Sequence, residues 1–209
     1  MSMPQAEAPS LVLASASAAR RAVLSAAGLA FLVRPAAVDE ASIKQAAQAE
    51  DIPPGDAALM LAEAKARRVA RRLAVEHAEN GAVGAPPDAL VIGCDQILTC
   101  EGRWFDKPHD AAEARAHLLA LRGRAHALHT AVLCWRGDAV VWRHVSTPRL
   151  TMRPFSDAVL DAHLAAEGEH ATETVGAYRL EGAGIQLFDR VEGEHAAILG
   201  LPLLPLLAY

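Results

Sequence analysis

The chain has 209 residues, with 25 acidic side chains against 20 basic ones and a formal charge of −5. That length suits one large domain or two lobes sharing a core, and the charge excludes a dedicated nucleic-acid binder, whose footprint is strongly basic. Of the 52% apolar residues, 46 are alanines, and no run of 18 apolar residues offers a membrane span.

Residues 1–9 lack the basic start, apolar run and cleavage site of a signal peptide and read as a disordered tail. Leu11 to Ala14 reads as a buried strand, followed by a Ser-rich turn and a helix that stops at Gly28. Phe31 to Arg34 is a second strand, and Val38, Asp39 and Glu40 follow in a loop. After Pro53-Pro54, Asp56 is placed to cap a long helix running to about Glu79, and residues 80–88 form a Gly/Pro-rich loop. Ala89 to Gly93 is the clearest strand. It ends at Cys94-Asp95-Gln96 and leads into a hairpin around Gly102. Asp110 caps a helix to Leu121. Two β segments, His126–Trp135 and Ala139–Leu150, meet at Gly137-Asp138. Ser156 caps a helix to Ala166, glycines 176, 182, 184 and 193 punctuate irregular structure, and Gly200-Leu-Pro starts a C-terminal helix. Alternating strands and helices with inserted hairpins predict an α/β fold with a mixed central sheet and flanking helices, as one domain over 10–209 or two lobes around a cleft.

Several chemistries drop out. There is no Walker A sequence, no Gly-x-Ser-x-Gly and no His-Glu-x-x-His, and Gly182-Ala-Gly184 fails as a dinucleotide fingerprint because Leu187 replaces the third glycine. Cys94, Cys100 and Cys134 form no Cys-x-x-Cys and read as reduced thiols. Nine scattered histidines, with His126 and His129 the one close pair, do not make a zinc site.

What remains is charge at element boundaries. Ser15, Ser17, Arg20 and Arg21 surround a strand-to-helix turn, where free N–H groups and the helix dipole suit phosphate oxygens. A helix cap with two solvated arginines would look the same. Asp95, at the expected carboxyl end of a strand, can hold a divalent cation or accept a proton from water, or be an ordinary turn residue. Lys107, twelve residues later, returns to the same rim through the hairpin. Glu40 and Lys65 say less alone. Arg67, Arg68, Arg71 and Arg72 read as a solvated helix face.

In order, Leu13-Ala-Ser15-x-Ser17 with Arg20-Arg21, Asp39-Glu40, Ala64-Lys65-Ala66, Gly93-Cys-Asp95-Gln96, Lys107-Pro108, Gly176-Ala-Tyr178, Gly193 and Gly200-Leu-Pro202 resemble the Maf family of nucleoside triphosphate pyrophosphatases. The resemblance runs from about residue 11 to 207. It implies a cytoplasmic, homodimeric protein related in fold to the inosine-triphosphate pyrophosphatases, with a divalent cofactor (Mg²⁺ or Mn²⁺). The implied reaction splits a nucleoside triphosphate into monophosphate and pyrophosphate. It also implies roles: Asp95 as proton acceptor, Ser15, Ser17 and Arg20 on phosphate, Glu40, Lys65 and Lys107 as further charged site residues, and Asp95 with Glu40 as metal ligands. Arg20, Lys65 and Lys107 are the expected cations for the leaving pyrophosphate.

Three departures bear on the base. The branch that takes dTTP and UTP shows Ser-Pro-Arg-Arg, Asp-Thr and Gln-Gly, where this chain has Ala19, Gln96 and Glu181. Gln96 and Glu181 resemble the 7-methyl-GTP branch, whereas Ala19 matches neither. N7-methylation makes guanine cationic, and a carboxylate at about 4 Å with an effective dielectric of about 20 would attract it by about 4 kcal/mol before desolvation. The rival expectations are the same reaction on dTTP or UTP, and a regulatory protein of septum formation. A composition with 17 Arg and 3 Lys also invites the view that lysine survives where a compact point charge is needed. Lys65 and Lys107 fit that view, and Lys44 has no such explanation from sequence.

Overall fold

The computed structural model describes residues 5–6, 8–80, 86 and 88–209. Strand β1 (Leu11–Leu13) is flanked in parallel by β2 (Leu32–Val33) and by β3 (Leu90–Cys100). The hairpin partner β4 (Arg103–Phe105) pairs with β3 from Leu98 onward. Along its other edge β3 pairs antiparallel with β5 (Ala125–Arg136). The edge of β5 away from β3 carries β6 (Ala139–Ser146) and then β7 (Arg149–Met152), which pairs with β8 (Phe188–Glu192). The result is the expected mixed sheet, with eight strands among the described residues.

Asp95 does not end a strand: β3 runs straight through it, with Asp95 opposite Ala131 of β5. The crevice belongs to β1 instead. β1 stops pairing at Ile92 and β4 starts at Leu98, so one edge of β3 has no strand beside Gly93–Ile97. Ligands collect beyond the carboxyl end of a parallel strand, and here that strand is β1.

Helix α3 (Pro54–Asn80) covers one face of the sheet, with Leu61, Ala62, Ala66 and Val69 packed against Val91, Ile97 and Leu133. Gly93 sets the spacing. A Cβ there would stand 2.2 Å from the Ala62 carbonyl oxygen, so only glycine lets α3 approach β3 this closely. On the opposite face α1 (Ala18–Ala26) packs Val23 and Leu24 against Ile92, Cys94 and Val132, joined by Leu201 and by Leu206 of α7 (Leu203–Ala208). A third core unites α4 (Ala111–Leu121), α5 (Asp157–Glu167), β7, β8 and three 3₁₀ turns (Gly168–Thr172, Val175–Ala177, Ala183–Leu187).

Caps at Ser17, Asp110 and Ser156 each accept the N–H three residues on. Other boundaries move. Glu40 is not in a loop but opens helix α2 (Glu40–Ala49), capped by Asp39 on the Ser42 N–H at 3.0 Å. Ala47 is its one fully buried residue, too thin a stripe to show as periodicity. α3 starts at Pro54, so Asp56 lies in its first turn rather than at the cap. The segment read as one strand to Leu150 divides at Thr147-Pro148, and a short α6 (His195–Ile198) precedes Gly200. Within the expected tail, residues 1–4 and 7 lie outside the described residues, while the Gln5 side chain bonds both backbone groups of Ala30. Of the expected loop at 80–88, residues 81–85 and 87 lie outside the described residues.

Candidate active site

A cavity of about 500 Å³ opens at the gap in β3. Successive strand residues point to opposite faces, so Asp95 faces α3 while Gln96 faces α6, and the missing neighbour strand lets both line one space. At its floor, Arg20 reaches back from α1. Its Nε donates to the Gly200 carbonyl at 2.8 Å, and Nη1 donates to the Cys94 carbonyl at 3.1 Å and to Ser15 Oγ at 3.2 Å. The guanidinium thus replaces a strand partner at Cys94 and keeps its Nη2 donors for a ligand. Gly200 adopts φ +96°, and any Cβ there would meet Arg20 Nε at 2.9 Å. Ser15 is buried and also accepts from the Ser17 N–H, whereas Ser17 caps α1; Ser17, Ala19 and Arg20 line the cavity.

At one end stand all three lysines of the chain. Close packing at Gly93 brings Lys65 of α3 onto the strand, where Nζ donates to Asp95 Oδ1 at 2.5 Å and reaches Glu40 Oε1 at 2.8 Å. Lys65 and Asp95 are 7% and 4% exposed, and Asp95 Oδ2 is buried with no hydrogen-bond partner among the described residues. Burial would raise the Glu40 carboxyl. The Lys65 ammonium beside it outweighs that, helped by Lys44 and Lys107, and holds it below its ordinary value. Lys107 follows Asp106 on an exposed loop and makes no ion pair among the described residues. Lys44, one turn after Glu40 on α2, contacts Asp106 Oδ1 at 2.5 Å.

The far end is built on the 3₁₀ turns. Glu181 is exposed there on a turn organised by Arg179, whose carbonyl accepts from the Gly182 N–H and whose Nε donates to Glu167 Oε2 at 2.6 Å. Glu167 is only 3% exposed, a buried carboxylate that requires this partner. Tyr178 is buried and shares a 2.8 Å hydrogen bond with His126; burial pushes the imidazole down to about 4. Gln96 lines the cavity, with its amide nitrogen held against Thr130 Oγ1 and the Ala197 and Ile198 carbonyls of α6.

The site residues expected from sequence therefore converge, including Ala19, Gln96 and Glu181 at the wall, with Ser15 behind Arg20. Lys65 is engaged by two carboxylates, and Arg20 by three protein acceptors through Nε and Nη1. The pairs Lys44–Asp106 and Glu167–Arg179 escaped sequence reading; lysine scarcity was the one available signal for Lys44. The four arginines of α3 are exposed along a separate groove with Ile43 and Val75. The three cysteines are free and buried, with the thiols of Cys94 and Cys134 pushed up to about 11 and about 12 by burial. Among the described residues no group of three His, Cys, Asp or Glu side chains stands ready to hold a metal, and no helix is long and apolar enough to cross a membrane.

A "7-methyl-GTP pyrophosphatase" of Rhizobium meliloti (strain 1021) is 52% identical over 200 residues, covering 96% of this chain and 94% of the relative. A "Nucleoside triphosphate pyrophosphatase" of Granulibacter bethesdensis is 51% identical over 95% of this chain and 94% of its own. A second "7-methyl-GTP pyrophosphatase", from Rhizobium etli, is 43% identical over 95% and 94%. Residues 10–209 match the family described as Maf-like protein, and the chain belongs to that family.

Proposed function

We propose that this protein is a nucleoside triphosphate pyrophosphatase that hydrolyses the bond between the α and β phosphates and favours 7-methyl-GTP. The observation that carries the reading is Asp95. One oxygen is fixed by Lys65, and the other is buried and unpartnered beside a cavity ringed by every lysine in the chain. The names of the relatives, at about half the residues identical, support the same reaction.

The walls carry five cationic side chains against five carboxylates, so they supply no net charge to offset a triphosphate. A hard divalent cation, Mg²⁺ or Mn²⁺, fits that deficit: such ions take one or two carboxylates and complete their shell with water and substrate phosphates. Glu40, together with Asp95, would hold it, and its charge would offset that of the phosphates. Asp95 Oδ2 orients the attacking water and accepts its proton as the water oxygen bonds to the α phosphorus. The bond from that phosphorus to the bridging oxygen breaks, and pyrophosphate leaves with the electron pair. Lys65 keeps both carboxylates in register. Arg20 offers its Nη2 donors to phosphate oxygens, and Lys107 meets the charge that develops on the leaving group.

At the far end Glu181 faces the base and favours a cationic purine. It is exposed, so the attraction lies near the aqueous value of about 1 kcal/mol at 4 Å rather than the interior one. The reading includes a homodimer, which light scattering on the purified protein checks. The deciding experiment follows pyrophosphate released from ordinary and N7-methylated nucleoside triphosphates with Mg²⁺ or Mn²⁺. Fastest release from 7-methyl-GTP is expected. Fastest release from UTP or dTTP would replace the base preference, and no release from any of them would overturn the function.

A further inference from the structure

Lys44 is a cavity residue that neither the motifs nor the reaction just described accounts for. It projects from α2 one turn beyond Glu40, with its side chain 15% exposed. Its ion-pair partner Asp106 is 67% exposed on the loop that also carries Lys107. An ion pair with one partner largely in water contributes little and exchanges readily. Lys65, in contrast, is buried between two carboxylates, and Arg20 is tied down by backbone carbonyls. Among the described residues the cavity thus has one lysine without an ion pair, Lys107, and one loosely held, Lys44, whose partner Asp106 directly precedes Lys107 in the chain. A flexible stem with a compact charge can leave a carboxylate for a stronger anion nearby.

We propose that Lys44 is a second cation for the pyrophosphate part of the substrate, parked on Asp106 in the free protein and transferred to β- and γ-phosphate oxygens on binding. Asp106 then acts as a competing anion that holds Lys44 ready and lowers the resting affinity for polyphosphate. The inference rests on the proposed pyrophosphatase reading, and a direct binding measurement keeps the two separable.

The test is calorimetric titration of inorganic pyrophosphate with Mg²⁺ into the wild type, Lys44→Met and Asp106→Asn. Loss of one charged hydrogen bond to phosphate is expected to weaken binding by about tenfold in Lys44→Met. Removing the competing carboxylate in Asp106→Asn is expected to tighten it by about threefold, on the order of the exchange of one exposed ion pair. In steady-state assays the Lys44→Met loss should appear in KM, with kcat preserved. Unchanged pyrophosphate binding in Lys44→Met would overturn the proposal, as would equal weakening in both variants, which would make the pair a clip between α2 and the Lys107 loop. Absence of pyrophosphate binding by the wild type would also overturn it. Binding that behaves as expected without turnover of any nucleotide would leave Lys44 in its role and sink the reaction alone.

Discussion

The two ends of the cavity are made by different means. At the lysine end, Lys65 and Asp95 are buried and held on regular elements, a long helix pressed onto a central strand at Gly93. At the far end, Glu181 is exposed on a turn between 3₁₀ segments, steadied through Arg179 by one buried carboxylate, Glu167. Sites on helices and strands hold geometry more tightly than sites on loops, as bond-making requires. A turn tolerates replacement, which suits the part proposed to select a base. The same fold can therefore keep one reaction and vary its substrate.

The comparison breaks most readily at Asp95. Asp95→Asn should reduce kcat by about 10³-fold, the scale of a lost general base, without loss of fold by circular dichroism. Retained turnover would mean that the buried oxygen is not the proton acceptor. Next comes acid sensitivity under the far end. The fold keeps His126 neutral against Tyr178, so its stabilisation is complete above the ordinary pKa of 6.5 and is lost as pH falls toward about 4. That loss amounts to about 3 kcal/mol. Urea midpoints measured across this window should fall for the wild type and stay flatter for His126→Gln; parallel profiles would contradict the assignment.

Smaller effects sharpen the contrast. Gly93→Ala forces α3 off β3 and should cost about 2 kcal/mol in urea unfolding, as overpacking does, while also lowering kcat through Lys65. A stability loss with kcat intact would show that the helix-to-strand spacing does not set the chemistry. Glu181→Gln should lower the preference for 7-methyl-GTP over UTP by about fivefold, the equivalent of about 1 kcal/mol, and leave stability unchanged. Equal losses on both substrates would make Glu181 a scaffold residue.

Much of this was legible in the chain itself, for a physical reason. Ser17, Asp110 and Ser156 announce helix starts through local hydrogen bonds three residues away, and the Gly137-Asp138 turn closes a hairpin on its own. Asp95, Lys65 and Glu40 stood out as charges in a recognisable order. Hidden features were those decided by topology. The open edge of β3 depends on where β1 ends and β4 begins, which no window around Asp95 contains. Lys44 and Asp106 are 62 residues apart, and the α2 that presents Lys44 buries too little apolar surface to be seen as a helix. Arg179 gave no sign of its buried partner because a lone Glu167 at a helix end reads as solvated.

The division of labour between the two ends is tested most directly by kcat/KM for 7-methyl-GTP and UTP, followed by pyrophosphate release in wild type, Asp95→Asn and Glu181→Gln. The expected result is loss of both activities together in Asp95→Asn and a changed ratio with preserved turnover in Glu181→Gln. Pyrophosphate release that survives in Asp95→Asn, or a substrate ratio that shifts there instead, would contradict the account.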